Sequence, residues 1–430
     1  MLSKTQKALD ALLSLPMSTI KLGLERIEKA LDMLGRPERN FPCLHIGGSN
    51  GKGSVCAMTA SCLCAAGLRV GLYTSPHLSR VNERFQINGK PVEDEALAEA
   101  IGVLMRAFEG KLALSFFEFC TALGFWLFAK QEVDVVVLEV GLGGRLDATN
   151  VVVPCVSAVT SLSLEHTQWL GSTVDAIAYE KAHIFKPGIP AVVSAQAFGA
   201  SKVLEEYAQA IGAPLWVEGK HFSLHPKEEG GGWQGFGRHM ENVQLALQGP
   251  HQVSNAALAL ACLELSPFQL EEAALRKGLQ KTRWPGRLEY FEGKPPVLLD
   301  GAHNPAGVEA LCLALEQLWP NAEIHLVFSV LQDKELEPMA ALLFPRCASI
   351  HLAPLSHTKA RPPGECLQVA QRFCPNSFVC TSAEEALQKA MAHSGENALV
   401  VAAGSLYLTG QLRECLLVDK AEKLDSFSQL

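Results

Sequence analysis

FPCLHIGGSNGKGSVCAMTASCLCAAG, residues 41–67, has the pattern of a strand, a glycine-rich loop and a helix. Backbone N–H groups of such a loop can converge on phosphate oxygens, and the positive end of a helix that begins near Ser54 adds to the attraction. Lys52 can reach a terminal phosphate, and the Ser54 hydroxyl can lie near a bound Mg²⁺. Glycine at 51 and 53 lets the backbone approach a ligand without a Cβ clash. The stretch therefore predicts a phosphate site.

The loop does not fulfil the strict P-loop motif, GxxxxGK[ST]. Ile46 stands where the first glycine should be, and Gly53 separates Lys52 from Ser54. The motif alone leaves two interpretations open, a nucleotide site or a plain turn between a strand and a helix.

Around this stretch, short β-branched runs alternate with amphipathic segments of helical length, which is typical of a mostly parallel sheet with helices on both faces. The candidate strands are 43–46, 69–74, 133–140, 156–161 and 190–194, and the candidate helices lie near 54–66, 93–108, 117–130 and 173–182. Residues 215–250 interrupt this rhythm. There KEEGGGWQGFG predicts a loop, and the flanking segments HFSLH and VQLAL predict a small antiparallel ribbon, before a helix over 251–265.

KTRWPGRLEY, residues 281–290, predicts a domain boundary because Trp-Pro-Gly cannot continue a helix. A new series follows: PVLLD, a helix from 305, IHLVFSV, a helix from 335, ASIHLAP, SFVCT, a helix from 383 and ALVVAAG. We therefore expect an N-terminal P-loop-type α/β domain over 1–283 and a smaller Rossmann-like α/β domain over 284–430. Clefts between domains are favoured ligand sites, so we expect the active site in the cleft between the two.

Composition narrows the class of protein. The chain has 430 residues, of which 48% are hydrophobic and 19% charged, and its formal net charge is -8. These values indicate a globular protein with no need of a nucleic-acid partner. No stretch approaches the roughly 20 apolar residues of a membrane span. The thirteen cysteines are scattered without a CxxC pair, and together with the lack of a signal-peptide pattern they favour buried thiols in a reducing cytoplasm.

Polar side chains follow several predicted strands of the first domain. Glu139 lies near the end of the apolar run 133–140, where a buried carboxylate favours a metal over a structural ion pair. His166 lies in a loop after another strand, where it is either solvated or close to such a metal. Lys181 lies in a helical pattern, and spacing alone does not distinguish it from a surface lysine paired with Glu180.

The second domain carries one comparable stretch, LLDGAHNPAGVEAL, residues 298–311. Asp300 ends its strand, His303 and Asn304 lie on the loop, and proline at 305 occupies a permitted first position of the helix. Capping alone could explain Asn304, but the cluster as a whole favours ligand chemistry.

Together and in this order, these stretches resemble the folylpolyglutamate synthase/dihydrofolate synthase family of the Mur ligase superfamily. The resemblance spans nearly the whole chain, and the joint order of the motifs is more specific than any one of them. The matching pieces are IKLGLERI (20–27), GGSNGKGS (47–54), YTSPHL (73–78), SFFEF (115–119), LEVGLGGRLDATN (138–150), EHTQWLG (165–171), EKAHIFKPG (180–188), HQVSNAALAL (251–260), WPGRLE (284–289) and LDGAHNP (299–305).

The resemblance implies ATP-dependent amide formation. Members of the family activate the carboxylate of dihydropteroate or of a folate as an acyl phosphate, and the amino group of L-glutamate then displaces phosphate. The implied cofactors are ATP, two Mg²⁺ ions and a carbamylated Lys181, with K⁺ as a further candidate. A monomer in the cytoplasm, with small-molecule substrates and neither nucleic acid nor membrane as partner, is expected.

Site residues carried over by position fall into four groups. The implied ATP contacts are Gly51, Lys52, Gly53, Ser54, Asn255, Arg287 and Asp300. The implied Mg²⁺ ligands are Ser75, Glu139, His166 and Lys181. The implied catalytic residues are Lys52, Lys181 and His303. The implied pterin-binding residues are Leu22, Gly23, Leu24, Phe116, Phe117, Glu118, Leu146, Asp147 and Ala148, although the two phenylalanines suit a core equally well.

Two departures from the family pattern concern the neighbourhood of Lys181. Glu165 stands where aspartate is common, and His183 stands where glycine is usual, so His183 could crowd the carbamate or hydrogen-bond to it. Two other functions stay open: a Mur-type ligase for a UDP-linked sugar, and a nucleotide-binding protein without catalysis. The pterin-like stretches argue against the first, and the full set of catalytic side chains argues against the second.

Overall fold

The structure is a computed structural model that describes residues 3–15, 23–225, 232–392, 395 and 397–427, with side chains as far as 418. It divides into two compact units, residues 1–246 with 252–283, and residues 247–251 with 284–430. No helix within these described ranges is long and apolar enough to cross a membrane.

Ten helices and eleven strands lie in the described part of the first unit, except for His251, the first residue of α9. The helices are α1 (Lys4–Leu13), α2 (Glu25–Met33), α3 (Lys52–Ala65), α4 (Asp94–Phe108), α5 (Phe116–Lys130), α6 (Thr167–Leu170), α7 (Val174–Ala182), α8 (Phe198–Ile211), α9 (His251–Leu265) and α10 (Glu272–Lys281). The strands are β1 (Cys43–Gly47), β2 (Val70–Tyr73), β3 (Phe85–Ile87), β4 (Lys90–Pro91), β5 (Val135–Glu139), β6 (Val156–Val159), β7 (Ala191–Val193), β8 (Leu215–Val217), β9 (Phe222–Leu224), β10 (Gly232–Gly235) and β11 (Arg238–Glu241).

Eight of these strands form one sheet in the order β4-β3-β2-β5-β1-β6-β7-β8. The last six strands in this order, β2-β5-β1-β6-β7-β8, are parallel to one another. The hairpin of β3 and β4 pairs with β2 in antiparallel orientation at one edge. Because successive side chains of a strand point to opposite faces, Val136 and Leu138 join a core with α4 and α5. Val135 and Val137 point to the other face, where α3 packs on β2 and β5. Helices therefore cover both faces, as predicted.

The parallel register decides where the polar residues meet. Ile46 of β1 pairs with Glu139 of β5, so the glycine-rich loop and this carboxylate leave the sheet at the same edge. In open α/β sheets ligands bind at the carboxyl edge of the strands.

The predicted antiparallel ribbon exists, but its strands differ from those expected. HFSLH contributes β9. Its partner β10 lies within KEEGGGWQGFG, which we predicted as a loop, and β11 follows directly after that segment. VQLAL forms no strand. Trp233 explains this difference, because its side chain is fully buried in the ribbon and stabilises a strand that the neighbouring glycines hide from sequence patterns.

The second unit contains a six-stranded sheet in the order β12-β13-β17-β14-β15-β16. All neighbours are parallel except β12 and β13. Its strands are β12 (Glu289–Phe291), β13 (Val297–Leu299), β14 (Glu323–Phe328), β15 (Cys347–Leu352), β16 (Ser377–Val379) and β17 (Ala398–Ala403), and its helices are α11 (Pro305–Leu318), α12 (Leu336–Leu343), α13 (Pro363–Ala370), α14 (Ala383–Ala392) and α15 (Leu406–Phe427). Separate apolar cores fill its two faces. This confirms the two-part α/β fold class.

Candidate nucleotide and metal site

The glycine-rich loop runs from β1 directly into α3. The helix begins at Lys52, two residues before the predicted start, and Gly51 caps it with φ of 90°. The ammonium of Lys52 folds back over the loop and donates to the carbonyl oxygens of Gly48, at 2.9 Å, and of Ser49, at 3.0 Å. The loop thus places a cation at the N-terminus of a helix, a combination that favours anions.

Two glycines of this loop allow close approach of neighbouring groups. A Cβ on Gly48, whose φ is 136°, would lie 1.8 Å from the Thr160 hydroxyl oxygen. A Cβ on Gly51 would lie 2.3 Å from Oδ1 of Asn255. The loop is therefore clamped between β6 and α9, and its conformation is fixed by packing.

Replacement of Gly48 by alanine should destabilise the protein strongly. The added methyl group meets the Thr160 side chain and the Thr160 backbone nitrogen, and we expect a loss of about 3 kcal/mol in the free energy of unfolding, measured by urea denaturation. Gly89→Ala is the matched control, since φ is 74° and nothing lies within 4 Å, and it should cost only about 1 kcal/mol. Equal losses in the two variants would show that backbone conformation, and not the clamp, dominates.

Helix α9 contributes a buried amide pair to the loop. Gln252 is fully buried, accepts from the amide nitrogen of Asn255 at 3.0 Å and donates to the Ser54 hydroxyl at 3.4 Å. The structure therefore brings Asn255, Ser54 and Gly51 together. Sequence reasoning missed Gln252, although its spacing of three residues from Asn255 puts both on one helix face.

Lys181 reaches the same loop from α7. Its side chain is 2% exposed, and its ammonium donates to the Gly48 carbonyl and pairs with Glu165, both at 2.8 Å. The alternative of a surface lysine paired with Glu180 is wrong, because Glu180 pairs with Arg145. Gly48 O is therefore a shared acceptor for the Lys181 and Lys52 ammonium groups.

Burial and charge act in opposite directions on this pair. Burial lowers the pKa of Lys181, and Lys52 adds to the shift while Glu165 opposes it. For Glu165, burial acts to raise the pKa, but the charges of Lys181 and Lys52 outweigh it and the pKa falls well below its usual range. The Glu165 carboxylate is thus ionised. Because the pKa of Lys181 is lowered, its neutral amine form is easier to populate than that of an exposed lysine.

Glu139 and Ser75 form a second polar group at the edge of the sheet. Glu139 is 4% exposed and accepts from the backbone N–H of Ser75 at 2.9 Å. His166 precedes α6 with a left-handed backbone, φ 46°. Carboxylate and hydroxyl oxygens suit Mg²⁺, but the Lys181 ammonium cannot bind a metal. Over the residues that the structure places, no three His, Cys, Asp or Glu side chains form a group able to hold a metal.

The residues implied for pterin binding differ in burial and in the contacts that they make. Phe116 is 5% exposed and belongs to the core, whereas the Phe117 ring is half-buried and lies against Gly141, where a Cβ would be 2.4 Å away. Glu118 is used locally, since it caps α5 at Ser115 and pairs with Arg26 at 2.8 Å.

A second group of these residues lies after β5. Asp147 is buried and accepts from the backbone N–H groups of Leu142, at 2.8 Å, and Thr149, at 3.0 Å. Burial raises its pKa, and the hydrogen bonds from Thr149 oppose that shift. Leu146 is half-buried and Ala148 is buried. Leu22 lies outside the described residues. Gly23, with φ of 122°, and Leu24 lead into α2.

The second unit organises its own polar cluster after β13. Asp300 accepts from the backbone N–H of Leu288, at 2.9 Å, and of Ala302, at 2.8 Å. Arg287 packs on Gly301, where a Cβ would lie 2.2 Å from the guanidinium. The ring of His303 contacts the Gly301 carbonyl at 2.7 Å. The Asn304 side chain caps α11, which is the helix-capping role that we named as one explanation for this residue.

His183 lies away from the Lys181 ammonium. Its ring hydrogen-bonds to the Tyr179 carbonyl at 2.8 Å and packs on the rings of Tyr179 and Tyr207, with centroids 4.6 and 4.5 Å away. These contacts place the ring against α7 and α8.

Comparisons with known proteins identify the family of this chain. Residues 46–263 match the Mur ligase middle domain, and residues 286–406 match the Mur ligase glutamate ligase domain. The dihydrofolate synthase/folylpolyglutamate synthase of Bacillus subtilis is 34% identical over 421 residues, which cover 92% of this chain and 95% of the relative.

Solved structures give the same result. Escherichia coli FolC in complex with DHPP and ADP superposes with a TM-score of 0.90 at 33% identity, over 97% of this chain and 99% of that chain. The bifunctional folylpolyglutamate synthase/dihydrofolate synthase from Yersinia pestis, with AMPPNP and Mn, gives a TM-score of 0.87 at 32% identity, over 96% and 98%. The chain therefore belongs to the dihydrofolate synthase/folylpolyglutamate synthase family of the Mur ligases.

Proposed function

We propose that this chain is an ATP-dependent ligase that joins L-glutamate to the carboxylate of 7,8-dihydropteroate, of a folate, or of both. The reaction passes through an acyl phosphate and releases ADP and phosphate. The first domain, 1–283, binds ATP and the pterin, and the second, 284–430, is the glutamate ligase domain. The protein acts as a monomer in the cytoplasm.

One observation carries this proposal. The Lys52 ammonium lies over the Gly48 and Ser49 carbonyls of the glycine-rich loop, at the residue where α3 begins. A cation at the positive end of a helix attracts anions, so the arrangement suits a triphosphate better than a structural turn. Phosphoryl transfer needs such charge stabilisation more than it needs covalent chemistry.

Glu139 and Ser75, which lie together at the sheet edge, offer oxygen donors that suit a divalent metal. Glu139 and Ser75 would hold Mg²⁺ together with His166 and a carbamylated Lys181, with a second Mg²⁺ and K⁺ as further cations. Bound metal would neutralise charge on the transferred phosphoryl group. Lys52 binds the phosphates, while Asn255, Arg287 and Asp300 contact the nucleotide. His303 faces the acyl phosphate or the glutamate.

The pterin is held by the segments before α2, at the start of α5 and after β5. Phe117 offers a half-buried aromatic face to a heterocycle. Asp147 holds the loop after β5 by accepting from backbone N–H groups of that loop. Leu146 and Ala148 belong to the same loop.

The activity is tested by phosphate release with Mg²⁺-ATP and L-glutamate, offering 7,8-dihydropteroate or tetrahydrofolate in parallel, with products identified by mass. We expect glutamate-dependent turnover with at least one acceptor. Turnover with both makes the enzyme bifunctional. Absence of turnover with either acceptor, in folded protein supplied with bicarbonate, would refute the proposed substrates.

A further inference from the structure

Arg84 is a buried cation beside the predicted metal ligand Ser75. It is the last residue of a short 3₁₀ turn and directly precedes β3, and its carbonyl accepts from the backbone N–H of Thr74 at 3.1 Å. The residue is 7% exposed. Its position is therefore fixed at the carboxyl edge of β2, within the first unit.

No carboxylate of the described residues neutralises this guanidinium. Among the described residues, the Arg84 side chain makes one hydrogen bond, from Nε to Nδ1 of His77 at 2.8 Å. Its Cζ lies 5.1 Å from the centre of the Phe116 ring. The two terminal nitrogens keep their N–H groups free of acceptors across the placed residues.

The acidic side chains nearby are committed elsewhere. Glu83 accepts from the backbone N–H groups of Leu78 and Arg80. Glu118 pairs with Arg26. A buried guanidinium without a counterion is costly, and a ring face compensates only in part. The fork of terminal N–H groups matches a carboxylate in two parallel hydrogen bonds.

We propose that Arg84, oriented by His77 and Phe116, binds the carboxylate of the pterin-bearing acceptor. This inference rests on the proposed function, since it assigns one residue to the substrate that the ligase activates. It explains why a charge is buried beside Ser75 and next to the aromatic start of α5. The charge remains unpaired until the substrate supplies its anion.

The test is a binding cycle without ATP, using 7,8-dihydropteroate and its carboxamide, which lacks the charge. Wild-type protein should bind the acid about 10- to 100-fold more tightly than the amide, the range for a charge-assisted hydrogen-bonded pair. In Arg84→Met the ratio should fall to about one, because only the acid loses affinity. Arg80→Met is the matched control, since Arg80 is exposed and pairs with Asp94, and it should keep the ratio.

Three outcomes would overturn the inference. A wild-type ratio in Arg84→Met would show that the guanidinium does not contact the carboxylate. An equal loss of affinity for the acid and the amide would show that Arg84 contacts a neutral part of the ligand. Binding of neither ligand by wild-type protein would refute the proposed function itself, and this result is distinct from the other two.

A stability measurement separates binding from a structural role. Removal of an uncompensated buried charge should raise the urea midpoint of the ligand-free protein, whereas a structural arginine would lower it. Arg84→Lys keeps the charge and loses the fork, so its acid-to-amide ratio should lie between those of wild type and Arg84→Met. This variant keeps the test valid if Arg84→Met does not fold, and a wild-type ratio in it would count against fork recognition.

Discussion

Lys52→Ala should lower kcat by about 10³-fold while the protein remains folded. The Lys52 ammonium lies over the loop at the start of α3, within 3.0 Å of two loop carbonyls. Its removal takes away a charge that would bind the phosphates of ATP. The fold should survive, because the packing of Gly48 on Thr160 and of Gly51 on Asn255 also holds the loop.

Steady-state phosphate release measures this effect, and the urea midpoint verifies folding. Lys202→Ala is the control, since Lys202 is an exposed lysine of α8 that pairs with Glu206, and its turnover should equal that of wild type. Near wild-type turnover by Lys52→Ala would remove the loop from the catalytic site. A matching loss of stability would instead assign the lysine a structural role.

Local patterns predicted those parts of the fold and site that depend on neighbouring residues. The strand, loop and helix around Lys52 were visible because apolar periodicity and glycines occur within one short segment. Glu139 stood out as a carboxylate at the end of an apolar strand, and the structure places it at the same sheet edge as the loop. Side-chain roles remain proposals for His166 and His303, because the contacts described above do not assign them chemistry.

The missed features depend on contacts between distant segments. The burial of Lys181 arises because α7 packs against a loop 133 residues earlier in the chain. Gln252 reaches Ser54 across 198 residues. Arg84 was not singled out in the sequence because several other charges surround it, and only the fold shows that it is buried without a carboxylate partner among the described residues. A single sequence contains no local signal for such pairings.

Carbamylation of Lys181 should be detectable as a ¹³C resonance from ¹³C-bicarbonate that increases with Mg²⁺. The neutral Nζ attacks the carbon of CO₂ and forms an N–C bond, while the electron pair of one C=O π bond moves to oxygen. One proton then leaves the nitrogen, which gives the carbamate anion. Burial, which lowers the pKa of Lys181, favours the neutral amine that this step requires. The carbamate formed would face the Glu165 carboxylate, now 2.8 Å from Nζ, and like charges at this distance require a cation between them.

Lys181→Met should therefore lack the resonance and lose about 10³-fold in kcat, since it can neither form the carbamate nor supply a charge near the phosphates. Lys186→Met is the matched control. Burial also lowers the pKa of Lys186, but that lysine donates to Asn150 and has no carboxylate partner among the residues placed by the structure. It should retain the resonance. A signal that persists in Lys181→Met would show that the carbamate is on another residue. A signal whose intensity does not change with Mg²⁺ would show that the metal does not hold the carbamate.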